Sequence, residues 1–163
     1  MQQELFSVDL EKEQLNFSAA HFITFGDNIC ESIHGHNYRV RCRVVGPLNE
    51  HGYVVDFIAL RDRLAELTTQ LDHHVLLPMN HPTISVSAEK DEVVVRFEKR
   101  RWVFPAQDCR LLPLTNTTAE LLAQYLADSL IPTLLESAPE LTIVEVGVDE
   151  NEGQWGTCLR KLK

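Results

Sequence analysis

The run Asn37-Tyr38-Arg39-Val40-Arg41-Cys42-Arg43-Val44-Val45-Gly46 alternates as a β-strand does, with Tyr38, Val40, Cys42 and Val44 on one side. At its head stands His34-Gly35-His36. Strand side chains alternate, so two histidines spaced i, i+2 face the same way and can share a metal ion. A third histidine ends an upstream alternating run, Phe17-Ser18-Ala19-Ala20-His21, in which Phe17, Ala19 and His21 share a face. Three neutral imidazoles from adjacent strands form the commonest catalytic zinc arrangement, which leaves a position open for water or substrate. A lone His-x-His pair also occurs on surface strands without metal. His21 raises the case, because a histidine continuing an apolar face needs a partner, and a metal is one. A structural site closed by Cys30 would instead make the ion inert. A cupin also carries His-x-His on a strand, but its glutamate four or five residues later is replaced here by Val40 and Arg41.

Around this strand the chain reads as a single α+β domain over residues 1–163, an antiparallel sheet with two helices on one face. Leu5 to Ile23 reads as a long strand or hairpin with a polar break from Asp9 to Gln14. Thr24 to Ile33 reads as a loop, and Tyr53-Val54-Val55 as a short return strand. Asp56 is the expected N-cap of a first helix whose stripe is Phe57, Leu60, Leu64, Leu67 and Leu71. Thr117-Thr118-Ala119-Glu120 fits a capping box, opening a second helix with Leu122, Tyr125, Leu126 and Leu130 as its stripe. Pro132 is expected to disturb or end that helix. Between the helices, 84–86 and 93–97 flank a polar turn at Glu89-Lys90-Asp91-Glu92, and Trp102-Val103-Phe104 adds a strand. Ile143 to Glu150 is the last clean alternation, with Trp155 to Leu162 pairing back.

Composition excludes some partners. The formal charge of −9 over 163 residues argues against nucleic acid. No stretch approaches a membrane span. Met1-Gln2-Gln3-Glu4 lacks the basic and apolar regions of a signal peptide. Four cysteines stand singly at positions 30, 42, 109 and 158, as in a reduced cytosolic chain. Lys99-Arg100-Arg101 is tempting as a phosphate grip, yet a charge run at a strand edge reads as a solvated turn.

In combination, Phe17-Ser18-Ala19-Ala20-His21, Cys30-Glu31-Ser32-Ile33-His34-Gly35-His36-Asn37-Tyr38, Leu71-Asp72-His73-His74 and the terminal Val-x-Val-x-Glu ending at Glu150 resemble the 6-pyruvoyl-tetrahydropterin synthase family. That family includes the 6-carboxy-tetrahydropterin synthases of queuosine biosynthesis. The resemblance implies a tunnelling fold, in which sheets assemble into a trimeric barrel and two trimers stack as a homohexamer. It also implies 7,8-dihydroneopterin triphosphate as substrate and Zn2+ as metal, held by His21, His34 and His36. By the same resemblance Cys30 matches the general base, Asp72 and His73 a proton relay often lent by a neighbouring subunit, and Glu150 the anchor of the pterin ring. Thr118 and Glu120 line the same pocket, although helix capping also accounts for both.

Two departures matter. Glu31 matches the glutamate that replaces cysteine in the type III synthases, which release the folate precursor 6-hydroxymethyl-7,8-dihydropterin, and this chain carries both residues. The β-rich segment 79–114 is longer than in the simple synthases and is similar to an insertion of the type III relatives. The expectation is therefore a zinc-dependent lyase leaning to the 6-hydroxymethyl product, with 6-pyruvoyl or 6-carboxy output also allowed. A non-catalytic pterin- or zinc-binding module and a zinc hydrolase are the rivals. Bottom-up, Cys30 alone is a buried small hydrophobe and Glu31 a solvated loop residue. Adjacent strand residues point to opposite faces, so in a strand only one of them could face the metal.

Overall fold

The computed structural model describes residues 4–26 and 28–162. Met1, Gln2 and Gln3 of the N-terminal stretch, Asp27 in the loop and Lys163 lie outside the described residues. The organising element is a thirteen-residue strand, β5 (His34–Gly46). Its even-numbered residues Tyr38, Val40, Cys42 and Val44 are essentially inaccessible to water, as the alternation requires.

Two earlier strands share one flank of β5. β1 (Phe6–Glu11) pairs antiparallel with its far half and β2 (Phe17–His21) with its near half. The polar break between them is a single 3-10 turn, Glu13–Leu15, pinned by buried Leu15. On the other flank lies β11 (Ile143–Asp149), followed by β12 (Trp155–Lys161). A sixth strand, β6 (His74–Pro78), joins β2, and β10 (Cys109–Leu112) joins β6. Both of these pairings are parallel, so the sheet is mixed rather than wholly antiparallel. The reason is connectivity: β5 and a helix intervene between β2 and β6, and a three-stranded excursion between β6 and β10, and connections of that length permit parallel neighbours.

The helices are α1 (Phe57–Thr69) and α2 (Ala119–Ser137). Asp56 caps α1, accepting from the amides of Ile58 and Ala59. Leu60, Leu64, Leu67 and, just past the helix, Leu71 are buried, whereas Phe57 points outward and is 54% exposed. The α2 cap falls on Thr118, which accepts from Leu121 N, one residue later than the capping box predicts. Thr117 is drawn away because its buried hydroxyl donates to Phe22 O at 3.2 Å. Pro132 does not stop α2. A mid-helix proline costs about 3 kcal/mol, but Leu126, Leu130 and Leu134 are all buried on this helix, each contributing roughly 2 kcal/mol. Leu122, Leu126, Leu130, Leu60 and Leu64 share one core with Val40, Val44, Val144, Val146 and Val148, so both helices cover the same sheet face. The strand expected at Tyr53–Val55 does not form. Its short run is tied back by Asn49 in a turn, and the six-residue β1 occupies that flank of β5 instead.

The segment after β6 builds a separate three-stranded sheet, β7 (Ser85–Glu89), β8 (Glu92–Phe97) and β9 (Arg100–Pro105). Its inner residues form a second core: Val93, Val95 and Phe97 pack with Phe22, Leu77, Ile84 and Cys30. The loop expected from Thr24 to Ile33 contains a two-residue ladder, β3 (Thr24–Phe25) with β4 (Ile29–Cys30). No helix among the described residues is long and apolar enough to cross a membrane.

Candidate metal and active site

Antiparallel register brings the three histidines together. β2 pairs with β5 so that His21 lies opposite His34, and His36 follows two residues on, opposite Ala19. The three rings lie 4.8–5.2 Å apart, edge to face. Glu150 reaches the same place from the opposite flank. Its strand ends at Asp149, one residue earlier than expected, yet Glu150 keeps the parity of Val144, Val146 and Val148. Its Oε1 stands 3.0 Å from His21 Nε2 and 3.1 Å from His36 Nε2.

The imidazoles are oriented from behind. His21 Nδ1 lies 2.9 Å from Thr117 O, and His34 Nδ1 lies 2.8 Å from Ser32 O. A carbonyl oxygen only accepts, so both Nδ1 atoms carry the proton and both Nε2 atoms present a lone pair. The Nε2 of His21 and of His36 are buried without a hydrogen-bond partner among the described residues. On His21 that lone pair faces the Glu150 carboxylate at 3.0 Å, an arrangement that calls for a cation between them. One ligand atom each from His21, His34, His36 and Glu150 fit within 4.8 Å of one another. A tetrahedral zinc with bonds of about 2.1 Å spaces its ligands roughly 3.4 Å apart, so a small contraction suffices and the residues fit the ion. The backbone carbonyls behind His21 and His34 are the usual orienting partners of metal-bound histidines. Burial, opposed by Glu150, holds the His36 imidazole below its ordinary value.

Cys30 and Glu31 part company. Cys30 closes the β3–β4 ladder and turns into the second core, 6% exposed. Burial pushes its thiol up, against the opposing charge of Arg100, so the nucleophilic thiolate is disfavoured. Glu31 turns the other way. Its Oε2 lies 3.8 Å from His34 Nε2, and its backbone N–H donates to Ile23 O at 3.0 Å. Glu31 follows the last residue of β4, but its N–H still bonds to Ile23 O, so the strand's alternation carries one residue past the ladder and separates the two.

Asp72 and His73 are paired and are not among the four residues that converge. Asp72 accepts from Ser18 N at 2.8 Å, which with the neighbouring His73 holds its carboxyl below the usual range. His73 takes a left-handed backbone, φ +58°, and its side chain is 82% exposed, 2.8 Å from Asp72 Oδ2. It shares an open cleft of about 520 Å3 with the outward Ser18, Ala20, Gly35 and Asn37 of β2 and β5, and His36 of the cluster also lines that cleft. Helix capping accounts for Thr118, and Glu120 is exposed in the first turn of α2. Neither joins the cluster. Sequence reading missed Thr117, whose contribution is a backbone carbonyl, and Arg100, which is not merely solvated: its guanidinium donates to Cys30 O and Glu31 O.

Asp149 sets the turn that delivers Glu150. Its carboxylate is buried and accepts from Arg39, from Gly153 N at 3.2 Å and from Gln154 N at 2.8 Å. Burial pushes this carboxyl up, but these donors outweigh it and hold it below its ordinary value. Asp149→Ala is expected to cost about 2 kcal/mol, because Arg39 is partly exposed and rehydrates while the turn amides lose their acceptor. The melting temperature should fall by roughly 4–8 °C in a thermal scan, and an unchanged value would show that the turn holds itself.

Comparison with known proteins adds to this geometry. The family model described as 6-pyruvoyl tetrahydropterin synthase matches residues 10–161. A Methanocaldococcus jannaschii protein, provisionally designated 6-carboxy-5,6,7,8-tetrahydropterin synthase, is 34% identical over 149 residues, covering 90% of each chain. The crystal structure of a Plasmodium vivax 6-pyruvoyl tetrahydropterin synthase superposes with a TM-score of 0.90 at 30% identity, covering 98% of this chain and 100% of that one. A variant of the Plasmodium vivax protein, in which a glutamate described as a catalytic residue is replaced by alanine, superposes with a TM-score of 0.89 at 29% identity, with the same coverage.

Proposed function

The chain belongs to the 6-pyruvoyl tetrahydropterin synthase family, and from that premise we propose that it is a zinc-dependent lyase of 7,8-dihydroneopterin triphosphate. The observation that carries the reading is the convergence of His21, His34, His36 and Glu150, with Glu31 at its edge and Cys30 turned away. His21, His34 and His36 hold the ion, which when bound supplies a Lewis acid for the hydroxyls of the substrate side chain.

Glu31 is the base. Its carboxylate takes the proton from the hydroxyl on the second side-chain carbon. The bond between the first and second carbons then breaks, the second carbon becoming an aldehyde that keeps the triphosphate. The electron pair left on the first carbon is delocalised into the ring imine, and a returned proton completes 6-hydroxymethyl-7,8-dihydropterin. Glu150 orients the pterin: Oε1 faces the imidazoles, and its other oxygen accepts from the ring N–H and amino groups. Asp72 holds the His73 ring for proton transfer. Because His73 is exposed and outside its own chain's cluster, it serves the site of a neighbouring copy in a homohexamer of tunnelling-fold subunits. A glutamate described as catalytic in the Plasmodium vivax relative supports a carboxylate base. The four unpaired cysteines agree with a cytoplasmic setting.

A second reading is favoured by one finding. The archaeal relative carries a 6-carboxy-tetrahydropterin synthase designation, so 6-carboxy or 6-pyruvoyl output from the same substrate is the alternative. Incubating the zinc-loaded protein with dihydroneopterin triphosphate and identifying products by mass spectrometry separates them. The expected product is 6-hydroxymethyl-7,8-dihydropterin with a two-carbon aldehyde triphosphate. A 6-carboxy product transfers the chain to the second reading. Tight pterin binding without turnover marks a binding module, and phosphate release from an intact side chain marks a hydrolase.

A further inference from the structure

We propose that Arg100 is a positioning residue for Glu31, which makes the β7–β9 sheet a working part of the active site. The inference deepens the proposed function and rests on the reading of Glu31 as base. Arg100 opens β9, on the far edge of the separate sheet, seventy residues from the loop it grips. One nitrogen, Nη1, donates to Cys30 O at 2.9 Å and to Glu31 O at 3.2 Å. A donor bridging consecutive carbonyls fixes the two peptide units that flank the Glu31 Cα, and with them the direction in which the Glu31 side chain leaves the backbone.

The loop needs such a hold. The β3–β4 ladder has only two residue pairs, too few to be rigid by itself. Its other restraints are the Cys30 side chain in the second core, the Glu31 N–H donating to Ile23 O, and the Ile23 N–H donating weakly to Glu31 Oε2 at 3.4 Å. The first anchors only the residue before Glu31, the long Ile23 contact holds the carboxylate weakly, and among the described residues neither carbonyl gains a strong donor from them, Cys30 Sγ reaching Glu31 O only at 3.5 Å. Arg100 supplies that donor, and it is carried by the same sheet whose Val93, Val95 and Phe97 pack around Cys30. The separate sheet thus grips one side of the loop by packing and the other by hydrogen bonds, while Glu31 faces His34.

Arg100→Met keeps most of the side-chain volume and removes the donors, and Arg100→Lys restores a donor. In the zinc-loaded protein, Arg100→Met is expected to lower kcat about 10–100-fold with KM within about threefold, as for a slightly misplaced catalytic group. Zinc content should be unchanged, and Arg100→Lys should recover much of the loss. In a Glu31→Gln background the same change should cost less than about threefold, because both act through one group. A second measurement needs no turnover: iodoacetamide labelling of Cys30, read by peptide mass spectrometry, should quicken at least about tenfold in Arg100→Met as the loop opens, with buried Cys42 as the control for global unfolding. Unchanged Cys30 labelling overturns the tether. Faster labelling with unaltered kcat, or additive losses in the double variant, overturns the positioning role. Absence of turnover in the unaltered protein sinks the base assignment, and the labelling result still decides whether Arg100 holds the loop.

Discussion

Alanine at position 36 is expected to leave a folded protein that retains less than about a tenth of the zinc held by the unaltered chain, because one of three imidazole ligands is gone. The His36 Nε2 is buried with no hydrogen-bond partner among the described residues and sits 3.1 Å from a carboxylate, so the site is poor in compensation unless a cation is bound. Removing the ring leaves Glu150 with His21. The fold should tolerate this to within about 1 kcal/mol, as His36 lies outside both apolar cores. Turnover should fall by at least about a thousandfold, since the electrophile is lost with the metal. Inductively coupled plasma analysis of the purified variant, with product assay before and after zinc addition, checks both outcomes. Glu150→Gln is the companion: it should keep most of the metal on the three imidazoles while weakening pterin binding. A His36→Ala protein with full zinc content would mean that the ion sits elsewhere.

Glu31→Gln should reduce product formation by roughly 10²–10⁴-fold, the usual worth of a positioned general base, with little change in KM. Cys30→Ala should change kcat by less than about threefold. The asymmetry follows from the backbone: the thiol is enclosed in the second core and pushed up by burial, whereas the carboxylate lies 3.8 Å from His34 Nε2. Steady-state kinetics on matched zinc-loaded proteins, with product identity recorded, decide the point. A large loss for Cys30→Ala with Glu31→Gln unaffected would exchange the two roles and move the reading away from the hydroxymethyl product.

Much of the architecture is legible in the alternation and the helical stripes. Tyr38, Val40, Cys42 and Val44 are buried, and so are Leu60, Leu64, Leu122 and Leu126. Where reading failed, a longer-range competitor had won. β1 displaced the strand expected at Tyr53–Val55, buried leucines carried α2 through Pro132, and Phe22 O claimed the Thr117 hydroxyl. The parallel order around β6 is invisible to local pattern, because period-two alternation is the same whichever neighbour a strand finds.

The site divides along the same line. Spacing and parity were enough to put His34 and His36 on one strand face, His21 on the face of Phe17 and Ala19, and Glu150 on the face of Val144, Val146 and Val148, since each depends only on the fixed alternation of a strand. The β2–β5 register that sets His21 opposite His34 is tertiary. Only the tertiary structure decided which of Cys30 and Glu31 faces the histidines, that Thr117 O and Ser32 O orient the rings, and that Arg100 reaches back to the loop. Those contacts join residues whose meeting depends on how separate elements pack, and backbone carbonyls carry no residue identity to be read in advance.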